Sequence, residues 1–484
     1  MAIKKTFNRL KTIAEILITF ALDIFSLLAI FQLSVIIRTD ILPLIYTGFP
    51  PEELLFKSLK NICWIFLIWI FFFYYEGLYT KRFSFWDEIK ALWNVSIFST
   101  AGIFTIVSIG KLSGEISRTI IILMGILAIL FLPLIRVASK KILRRLGFLK
   151  RRVLILGAGE TGRLIASALR KEPNYGYEVI GFLDDDPEKA GKAIDGIKVH
   201  RGIDRAITYL KGSNITDIFI AMPGAGKEKL QELINNLQHK VERILFVPDM
   251  FGIAVLGTTL QHFFYEQAFA VEMKNNLSRP LNIFIKKCFD LFVSILLIPF
   301  LFIPVYIIVI LIKLDSKGPA IFSQERLGKK GKRFRCFKFR TMYADAEASL
   351  TELLESNPET KKEWEQAWKI KDDPRITRIG KFLRKTSLDE LPQLINVLRG
   401  EMSLVGPRPV TKDEIDKYYK DNALLCFGVP PGITGLWQVS GRSSTSYDYR
   451  IALDSWYVRN WNLWLDIVIL FKTVRTVFKQ EGAY

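Results

Sequence analysis

The sequence predicts a membrane protein of three parts: an N-terminal four-helix transmembrane bundle, a Rossmann-like α/β domain, and an α-rich monotopic domain with a re-entrant membrane helix. Three observations predict it. Four apolar runs fill the first third of the 484 residues, a glycine-rich turn follows the next apolar strand, and a fifth apolar run contains two prolines. Half of the residues are hydrophobic, which is a high share for a soluble protein.

The four apolar runs lie at about Ile13–Ile37, Leu54–Phe73, Ala91–Ile109 and Thr119–Ile135. Each is long enough, or nearly so, for the roughly 20 residues that cross the hydrocarbon core. Basic residues concentrate at the N-terminus, near Lys81 and after the fourth run, so the positive-inside rule places both ends of the bundle in the cytoplasm. We expect the bundle to cover residues 1–145, without a cleaved signal peptide.

The formal net charge of +19 has two interpretations: flanking charge of a membrane protein, and attraction to anionic substrates and lipid headgroups. The basic residues cluster beside apolar segments, so the sequence does not favour nucleic acid as a partner. Only three histidines and four scattered cysteines are present. Histidine-based acid–base chemistry, a disulfide framework and a zinc site are therefore all disfavoured.

An apolar strand beginning at Val153 runs into a G-x-G-x-x-G turn made by Gly157, Gly159 and Gly162. A second strand, Tyr177–Leu183, ends in three consecutive aspartates. The alternation of strands and helices continues, so we expect a doubly wound α/β domain over residues 146–265. The glycine spacing suits the approach of a pyrophosphate to a helix N-terminus. A nucleotide loop and a scaffold without a ligand both fit this pattern.

The fifth apolar run, Leu291–Ile312, has no charged residue and contains Pro299 and Pro304. Basic clusters flank it on both sides, so a straight crossing would place one cluster outside, against the positive-inside rule. A helix bent at proline that enters and leaves on the cytoplasmic face removes the conflict. We therefore expect a re-entrant helix over residues 280–316; a kinked fifth span is the alternative.

Residues 317–484 predict a compact α-rich domain. Two strand-like runs, Ala320–Arg326 and Phe334–Arg340, flank a glycine turn and predict a hairpin. The helix-like segments that follow are Ala344–Leu354, Lys361–Lys369, Gln393–Leu398, Lys412–Leu425, Tyr447–Val458 and Leu463–Phe478. Trp437 and three further tryptophans near the C-terminus fit either the membrane interface or core packing.

Two adjacent carboxylates, Asp389 and Glu390, lie upstream of a Gly-Pro-Arg-Pro loop. A capping box from Ser387 to Glu390 is one explanation. Pro392 argues against it, because the proline would fall beyond the first turn of that helix and remove a hydrogen bond. A helix that starts at Glu390 or Leu391 leaves Asp389 ionised at its positive end. An ionised carboxylate can attack phosphorus, and its neighbour can hold Mg²⁺.

Basic residues suited to phosphate surround this pair in the sequence. Arginine grips phosphate oxygens in a bidentate manner, and lysine binds them as a point charge. Any one of these residues alone would be an ordinary surface charge. Their convergence around the acid pair is therefore a prediction. The candidates are Lys338, Arg340, Arg375, Arg378, Arg384, Lys385 and Arg408.

Together these motifs resemble the bacterial sugar transferases, the monotopic phosphoglycosyl transferases. The resemblance is dense from Asn282 to Tyr484, and the N-terminal parts resemble the large subgroup, which initiates exopolysaccharide, capsule or O-antigen synthesis. The matching segments are Phe337–Met342, Arg375–Gly380, Leu383–Pro409, Pro431–Arg442 and Gly482–Tyr484.

The resemblance implies a two-step reaction. Asp389 would attack the β-phosphorus of a UDP-sugar, UDP-glucose or UDP-galactose, and release UMP. Undecaprenyl phosphate would then take the phosphosugar. Glu390 would hold Mg²⁺, while Lys338, Arg384 and Arg408 would contact phosphates or nucleotide.

The resemblance also implies an aspartate of functional importance in the C-terminal segment. Asp454 and Asp466 both fit, and we take Asp466 as the substrate-binding candidate. The implied enzyme is a homodimer in the bacterial inner membrane, in contact with lipids, with its catalytic domain on the cytoplasmic face. Compact relatives place a serine before the bend proline, whereas Ile298 and Ile303 precede the prolines here, so both prolines stay candidates for the bend.

Two other functions fit parts of the sequence. A membrane-bound nucleotide-sugar dehydratase or epimerase would also join a bundle to a Rossmann domain. It would require a Tyr-x-x-x-Lys pair, and no tyrosine here has lysine four residues later. A non-enzymatic, nucleotide-sensing membrane regulator would not need the intact acid pair and its arginines.

Overall fold

The computed structural model describes residues 2–46, 59–111, 117–248, 259–263, 268–272, 276–356, 360, 370, 373–419, 426–440 and 447–479. The chain divides into two compact units, Met1–Met250 and Phe251–Tyr484. The first unit contains the apolar N-terminal helices and the α/β domain. The predicted helix Lys361–Lys369 and the C-terminal motif Gly482–Tyr484 lie outside the described residues.

Four apolar helices form the N-terminal part of the first unit, as predicted. They are Ala2–Ile36, which continues through a π-helix, Ile37–Ile41, into Leu42–Ile45, then Leu59–Tyr75, Phe85–Ile109 and Arg118–Arg145. Three of the four are long and apolar enough to cross a membrane, and the apolar segment Cys63–Tyr75 is shorter. Leu27, Trp69, Val95 and Ala128 expose no surface and form part of their shared core.

A buried charge network joins these helices to the α/β domain. Arg136 pairs with Asp23 and Glu88, and its guanidinium donates to the carbonyl of Leu78 at 2.9 Å. Asn174 of the α/β domain donates to Glu88 at 2.7 Å. Buried charges are tolerated only when they are paired and hydrogen-bonded. The network therefore fixes three apolar helices and the α/β domain to one another.

The α/β domain is built on a six-stranded sheet. In spatial order its strands are Ala193–Ile194, Ile197–Arg201, Tyr177–Asp184, Arg151–Leu156, Ile215–Ile220 and Arg243–Phe246. The first, two-residue strand is antiparallel to its neighbour and the other five are parallel. The five parallel strands follow the chain order 3-2-1-4-5, which matches the first five strands of the Rossmann order 3-2-1-4-5-6.

Helices cover this sheet, and the central strand is apolar for that reason. The helices are Glu160–Lys171, Ala206–Gly212 and Lys227–Leu237. Val153 to Leu156 are all buried, as expected for a parallel strand covered on both faces. The predicted α/β fold of this domain is confirmed, and its bounds of 146–265 stay a prediction. The short strands Ala193–Ile194 and Ile197–Arg201 were not predicted because their apolar runs are too short.

The second unit contains two hairpins and several helices. Its strand pairs are Thr259–Phe263 with Ala268–Glu272, Ile321–Leu327 with Arg333–Phe339, and the parallel pair Ser403–Val405 with Gly432–Thr434. Its helices are Pro280–Asp315, Ala346–Ser356, Arg378–Thr386, Gln393–Leu398, Lys412–Glu414, the π-helix Ile415–Tyr419, Tyr447–Asn460 and Leu463–Lys479. The one hairpin that the sequence predicts, Ile321–Leu327 with Arg333–Phe339, is confirmed, and Arg333 lies opposite Leu327.

Pro280–Asp315, named here the proline-containing helix, packs on the C-terminal domain near both of its ends. Lys286 and Asp290 are buried near one end, and Ile308 and Ile312 near the other. The last two share a core with Phe339 and Leu383. Exposed apolar residues lie between: Ile295, Leu296, Leu297, Ile298, Phe300, Phe302 and Ile303. The chain remains helical through Pro299 and Pro304.

Candidate active site

Asp389 and Glu390 lie in a 3-10 turn, Leu388–Glu390. Ser387 precedes this turn with φ +56°, in the left-handed region that non-glycine residues rarely adopt. Its side chain makes no capping hydrogen bond. The acid pair is therefore not part of a capping box, which is the outcome that Pro392 predicts.

The predicted helix segment Gln393–Leu398 is confirmed, whereas the start at Glu390 or Leu391 inferred from the capping argument was wrong by two or three residues. The helix begins at Gln393, and Pro392 is the residue before it. The amides of Glu390 and Leu391 donate to the carbonyls of Ser387 and Leu388 at 3.3 and 3.2 Å. These 3-10 bonds satisfy the amides before the proline, so the α-helix does not have to begin there.

Lys338 connects the two carboxylates. Its ammonium donates to Glu390 Oε1 at 2.7 Å and lies 4.0 Å from Asp389 Oδ2. The strand Arg333–Phe339 supplies this lysine, and its buried Phe334 and Cys336 anchor the strand in the core. The structure therefore brings together the predicted nucleophile, the predicted metal ligand and one predicted phosphate ligand.

The carboxyl of Asp389 has an unusual pKa for an aspartate. Burial, together with the neighbouring charge of Glu390, raises the pKa of Asp389 to about 6, while Lys338 and Arg384 act in the opposite direction. Such a carboxylate is mostly ionised at neutral pH and more basic than an ordinary aspartate. Both properties suit a nucleophile.

Arg384 is the second cation beside Asp389. Its Nε donates to Thr341 Oγ1 at 3.0 Å. Burial lowers the pKa of Arg384, and the charge of Asp389 opposes that shift. Arg375, in contrast, makes two hydrogen bonds to the carboxylate of Asp373, at 2.9 and 2.6 Å. Arg384 therefore belongs to the acid-pair site, and Arg375 has a structural partner.

Arg340 follows the strand Arg333–Phe339 and contacts Ser316, the residue after the proline-containing helix. Its Nη2 donates to the carbonyl and the hydroxyl of Ser316 at 2.7 and 2.9 Å. The residue is buried. This contact joins the hairpin to the end of the helix, and the role of Arg340 as a phosphate ligand stays a prediction.

Arg408 lies in the Gly-Pro-Arg-Pro loop, which packs tightly on a second loop. A Cβ on Gly406 would lie 2.7 Å from the amide nitrogen of Gly432, so only glycine fits there. The amide of Arg408 donates to Asp454 Oδ2 at 3.3 Å. Its guanidinium carbon lies 5.4 Å from the ring centroid of Trp437, which is buried.

Asp466 is fully buried and its carboxylate has three donors. Lys286 Nζ and Tyr457 Oη each lie at 2.7 Å, and Trp461 Nε1 at 3.0 Å. The carboxylate has no exposed surface, and the role of Asp466 in substrate binding stays a prediction. It joins the proline-containing helix to helix Leu463–Lys479.

Asp454, the other C-terminal candidate, is also buried. Its Oδ2 accepts from the Arg408 amide and from the hydroxyl of Tyr419 at 3.4 Å. Burial raises the pKa of Asp454 to about 7. Asp454 thus supports the loop that carries a predicted phosphate ligand.

Two site residues were not predicted as candidates. Thr341 lies in the same Phe337–Met342 motif as Lys338, so that motif could have identified Thr341 as a candidate. Arg450 lies 5.0 Å from the Trp437 centroid, beside Arg408. Arg408 and Arg450 are far apart in the sequence, so no local pattern connects them.

A magnesium site would need ligands from the substrate. Among the described residues, no three His, Cys, Asp or Glu side chains group around one point. Mg²⁺ commonly uses one or two carboxylates together with substrate phosphates and water. Glu390, a hard oxygen donor with partial exposure, fits that pattern, and Lys338 contacts one of its oxygens.

The glycine motif lies where predicted, between strand Arg151–Leu156 and helix Glu160–Lys171. Gly157 has φ +99°, and a Cβ there would lie 2.5 Å from the carbonyl oxygen of Ala221. Asp184 Oδ2 accepts from the amide of Ala158 at 2.7 Å. The loop is thus closed by an aspartate of its own domain, and nucleotide binding by Gly157, Gly159 and Gly162 stays a prediction.

Known proteins match the chain over most of its length. The family described as bacterial sugar transferase matches residues 281–480, and one described as CoA-binding domain matches residues 70–248. The UDP-galactose-lipid carrier transferase of Erwinia amylovora is 39% identical over 444 residues, which is 91% of each chain. The chain belongs to the bacterial sugar transferase family.

Other relatives of this sugar transferase agree. The undecaprenyl-phosphate galactose phosphotransferase of Salmonella typhimurium is 38% identical over 84% of each chain. The UDP-glucose:undecaprenyl-phosphate glucose-1-phosphate transferase of Klebsiella pneumoniae is 33% identical over 73% of each chain. The family prediction is confirmed, and the chain is an enzyme of the phosphoglycosyl transferase class.

Proposed function

We propose that this sugar transferase moves hexose 1-phosphate from a UDP-sugar to undecaprenyl phosphate, with Asp389 as a covalent nucleophile. The observation that carries the proposal is the position of Asp389. It is flanked by Glu390, Lys338 and Arg384, and burial raises its pKa. The names of the relatives support both the donor and the acceptor class.

In the first step, a carboxylate oxygen of Asp389 attacks the β-phosphorus of the UDP-sugar. The bond between that phosphorus and the bridging oxygen breaks, and UMP leaves with the bridging oxygen. Lys338 and Arg384 face the charge that develops on the phosphoryl oxygens. The enzyme then carries the phosphosugar on Asp389.

In the second step, a phosphate oxygen of undecaprenyl phosphate attacks the same phosphorus. The bond to Asp389 breaks, the carboxylate is regenerated, and undecaprenyl-diphosphate sugar is the product. Glu390 would hold Mg²⁺, which neutralises phosphate charge when bound. Lys338, bound to Glu390, holds that carboxylate in place.

The proline-containing helix would keep this site at the membrane surface. Both of its ends pack on one domain while its middle exposes apolar side chains, which supports a re-entrant anchor. A bend at Pro299 or Pro304 would bring both ends to the cytoplasmic face. The acceptor phosphate would then meet Asp389 at that face.

The relatives named for galactose and glucose support UDP-galactose or UDP-glucose as the donor. The product would start an exopolysaccharide, capsule or O-antigen chain. A homodimer stays a prediction from the family resemblance.

The test is transfer of radiolabelled sugar phosphate to undecaprenyl phosphate by membranes that contain the enzyme. Wild type should transfer label from UDP-galactose or UDP-glucose and release UMP. Asp389→Asn should lose at least about 1,000-fold in rate, because the amide is not a nucleophile. The exposed Asp413→Asn is the matched control and should retain full activity. Full activity of Asp389→Asn would disprove the assignment.

A further inference from the structure

The side chain of Asn396 joins helix Gln393–Leu398 to the strand that carries Lys338. Its Oδ1 accepts from the amide of Phe337 at 3.1 Å, and its Nδ2 donates to the carbonyl of Arg335 at 2.8 Å. Asn396 has no exposed surface. A carboxamide suits this position, because its oxygen accepts from one backbone group while its nitrogen donates to the other.

These two hydrogen bonds satisfy one edge of the strand Arg333–Phe339. The other edge pairs with Ile321–Leu327, and within the described residues the sheet has only these two strands. Asn396 thus makes the pair of hydrogen bonds that a residue of a further strand would make. A slip of one residue turns every side chain of a strand to the opposite face. Bonds to two specific backbone groups therefore also fix the face on which Lys338 lies.

Asn396 is itself held firmly in its helix. Its Nδ2 also donates to Glu401 Oε2 at 2.7 Å, and its carbonyl accepts from the amides of Glu401 and Met402 at 3.0 and 3.2 Å. Val397, the next residue of the helix, shares a core with Cys336 of the strand. The carboxamide therefore cannot turn without breaking three side-chain hydrogen bonds, so it holds the helix and the strand in one arrangement.

The helix of Asn396 comes directly after the acid pair. Pro392 is the residue before the helix, and Asp389 and Glu390 lie in the 3-10 turn that precedes it. The strand held by Asn396 carries Lys338, whose ammonium lies 2.7 Å from Glu390 and 4.0 Å from Asp389. The contacts thus form a closed loop, from the acid pair through the helix and the strand back to the acid pair. A displaced strand would change the distances between Lys338 and both carboxylates.

We propose that Asn396 is a positioning residue for the transfer reaction, because it holds Lys338 at the distance from which its ammonium contacts both carboxylates. This inference rests on the proposed function, in which Lys338 faces the charge that develops on the phosphoryl oxygens. The hydrogen bonds of the Asn396 side chain go to the strand backbone and to Glu401. Asn396 therefore acts through the strand and not on the substrate.

The test is a double-mutant cycle on the purified full-length enzyme, with Asn396→Ser, Lys338→Gln and the double variant. Initial rates give kcat and KM for the UDP-sugar that the wild type uses. Asn396→Ser should lower kcat about 10- to 100-fold with a smaller change in KM, since a misplacement of about 1 Å costs up to about 100-fold in rate. Added to Lys338→Gln, it should lower kcat by less than about threefold, because the lysine through which it acts is already gone.

Asn460→Ser is the matched control. Asn460 is a second asparagine without exposed surface, and its Nδ2 donates to the carbonyl of Trp456 at 2.9 Å. The same substitution there should lower the melting temperature, as Asn396→Ser does. Any change that it makes in kcat should be by the same factor with and without Lys338. The control thus separates a loss of stability from a loss of lysine positioning.

Equal losses of kcat from Asn396→Ser in the presence and absence of Lys338 would overturn the proposal, and so would an unchanged kcat. Asn396→Ala is a second variant without a polar side chain. If neither variant folds, Asn396 serves stability alone and the proposal is likewise rejected. The cycle compares rates and does not depend on which group attacks phosphorus. Full activity of Asp389→Asn would therefore contradict the proposed function, while the coupling between Asn396 and Lys338 could still be measured.

Discussion

The ammonium of Lys338 donates to Glu390 Oε1 at 2.7 Å and so lies between Glu390 and Asp389, 4.0 Å from the latter. The positive charge of Lys338 thereby reduces the electrostatic repulsion between the adjacent carboxylates of Asp389 and Glu390. The two carboxylates therefore have different contacts with Lys338. Glu390 accepts a hydrogen bond from the lysine, whereas Asp389 lies at the longer ion-pair distance of 4.0 Å.

Replacement of Lys338 by Gln should move the acid limb of the pH–rate profile to higher pH. Burial and Glu390 raise the pKa of Asp389 to about 6, and Lys338 lowers it, so removal of the lysine raises it further. Since the proposed mechanism requires the ionised form of Asp389, activity at pH 6 should fall more than activity at pH 8. Initial rates from pH 5 to 8.5 measure this, with Lys338→Arg as the charge-retaining control. An equal loss at every pH would contradict the electrostatic role.

Asp454 should make the enzyme less stable as pH rises. Burial raises the folded-state pKa of Asp454 to about 7, from about 3.8 in the unfolded chain. Between these values the folded state holds more protons than the unfolded state, so this contribution to stability is lost from pH 4 to pH 7. Melting temperatures at pH 5.5, 7 and 8.5 should show a decline in wild type that is smaller in Asp454→Asn. Identical pH slopes in the two proteins would reject this assignment.

Asp466→Ala should destabilise the C-terminal domain by about 3–5 kcal/mol, since it leaves the buried Lys286 without its closest carboxylate. Lys286 would retain Asp290, at 3.7 Å, and the ring of Trp461, whose centroid lies 5.9 Å from its ammonium. The double variant Lys286→Met with Asp466→Leu should recover part of the loss, because both charges are gone. Thermal unfolding measures stability, and KM for the UDP-sugar separates the roles. A stable Asp466→Ala protein with a raised KM would support the substrate-binding prediction instead.

The re-entrant anchor predicts that the C-terminal domain is inaccessible from outside the cell. Arg333, exposed on the hairpin, is a site for a single introduced cysteine once Cys63 and Cys288 are replaced by serine. An impermeant maleimide should label Arg333→Cys in broken cells but not in intact ones. Labelling in intact cells would instead support a kinked fifth span. Wild-type transfer activity of the cysteine variant serves as the control for folding.

Local sequence patterns predicted the parts of the fold that depend on local physics. Alternation located the hairpin around the Gly328 turn, and apolar runs located the N-terminal helices. The conflict between Pro392 and a capping box showed correctly that Ser387 is no side-chain cap. The helix Gln393–Leu398 was predicted with its observed bounds, whereas the start at Glu390 or Leu391 was wrong because 3-10 hydrogen bonds occupy the amides before the proline.

Long-range packing determines the side-chain contacts that local sequence patterns did not predict. Asp466 and Asp454 have the same residue type on neighbouring helices, yet Asp466 is bound by Lys286, Tyr457 and Trp461 while Asp454 supports the Arg408 loop. Trp437 and Trp461 are buried, so core packing rather than the membrane interface accounts for them. The packing of Gly406 against Gly432 joins the loop of Arg408 to the segment that leads to Trp437.

The most direct test is incubation of purified enzyme with radiolabelled UDP-sugar in the absence of any polyprenyl acceptor. The two-step account predicts a burst of UMP up to one equivalent per active site, and a phosphosugar adduct on the peptide that contains Asp389. Addition of undecaprenyl phosphate should then release the label into lipid. The Asp413→Asn control should behave as wild type, and Asp389→Asn should give neither burst nor adduct. Transfer to acceptor at the wild-type rate with no acceptor-free UMP and no adduct would contradict the covalent mechanism.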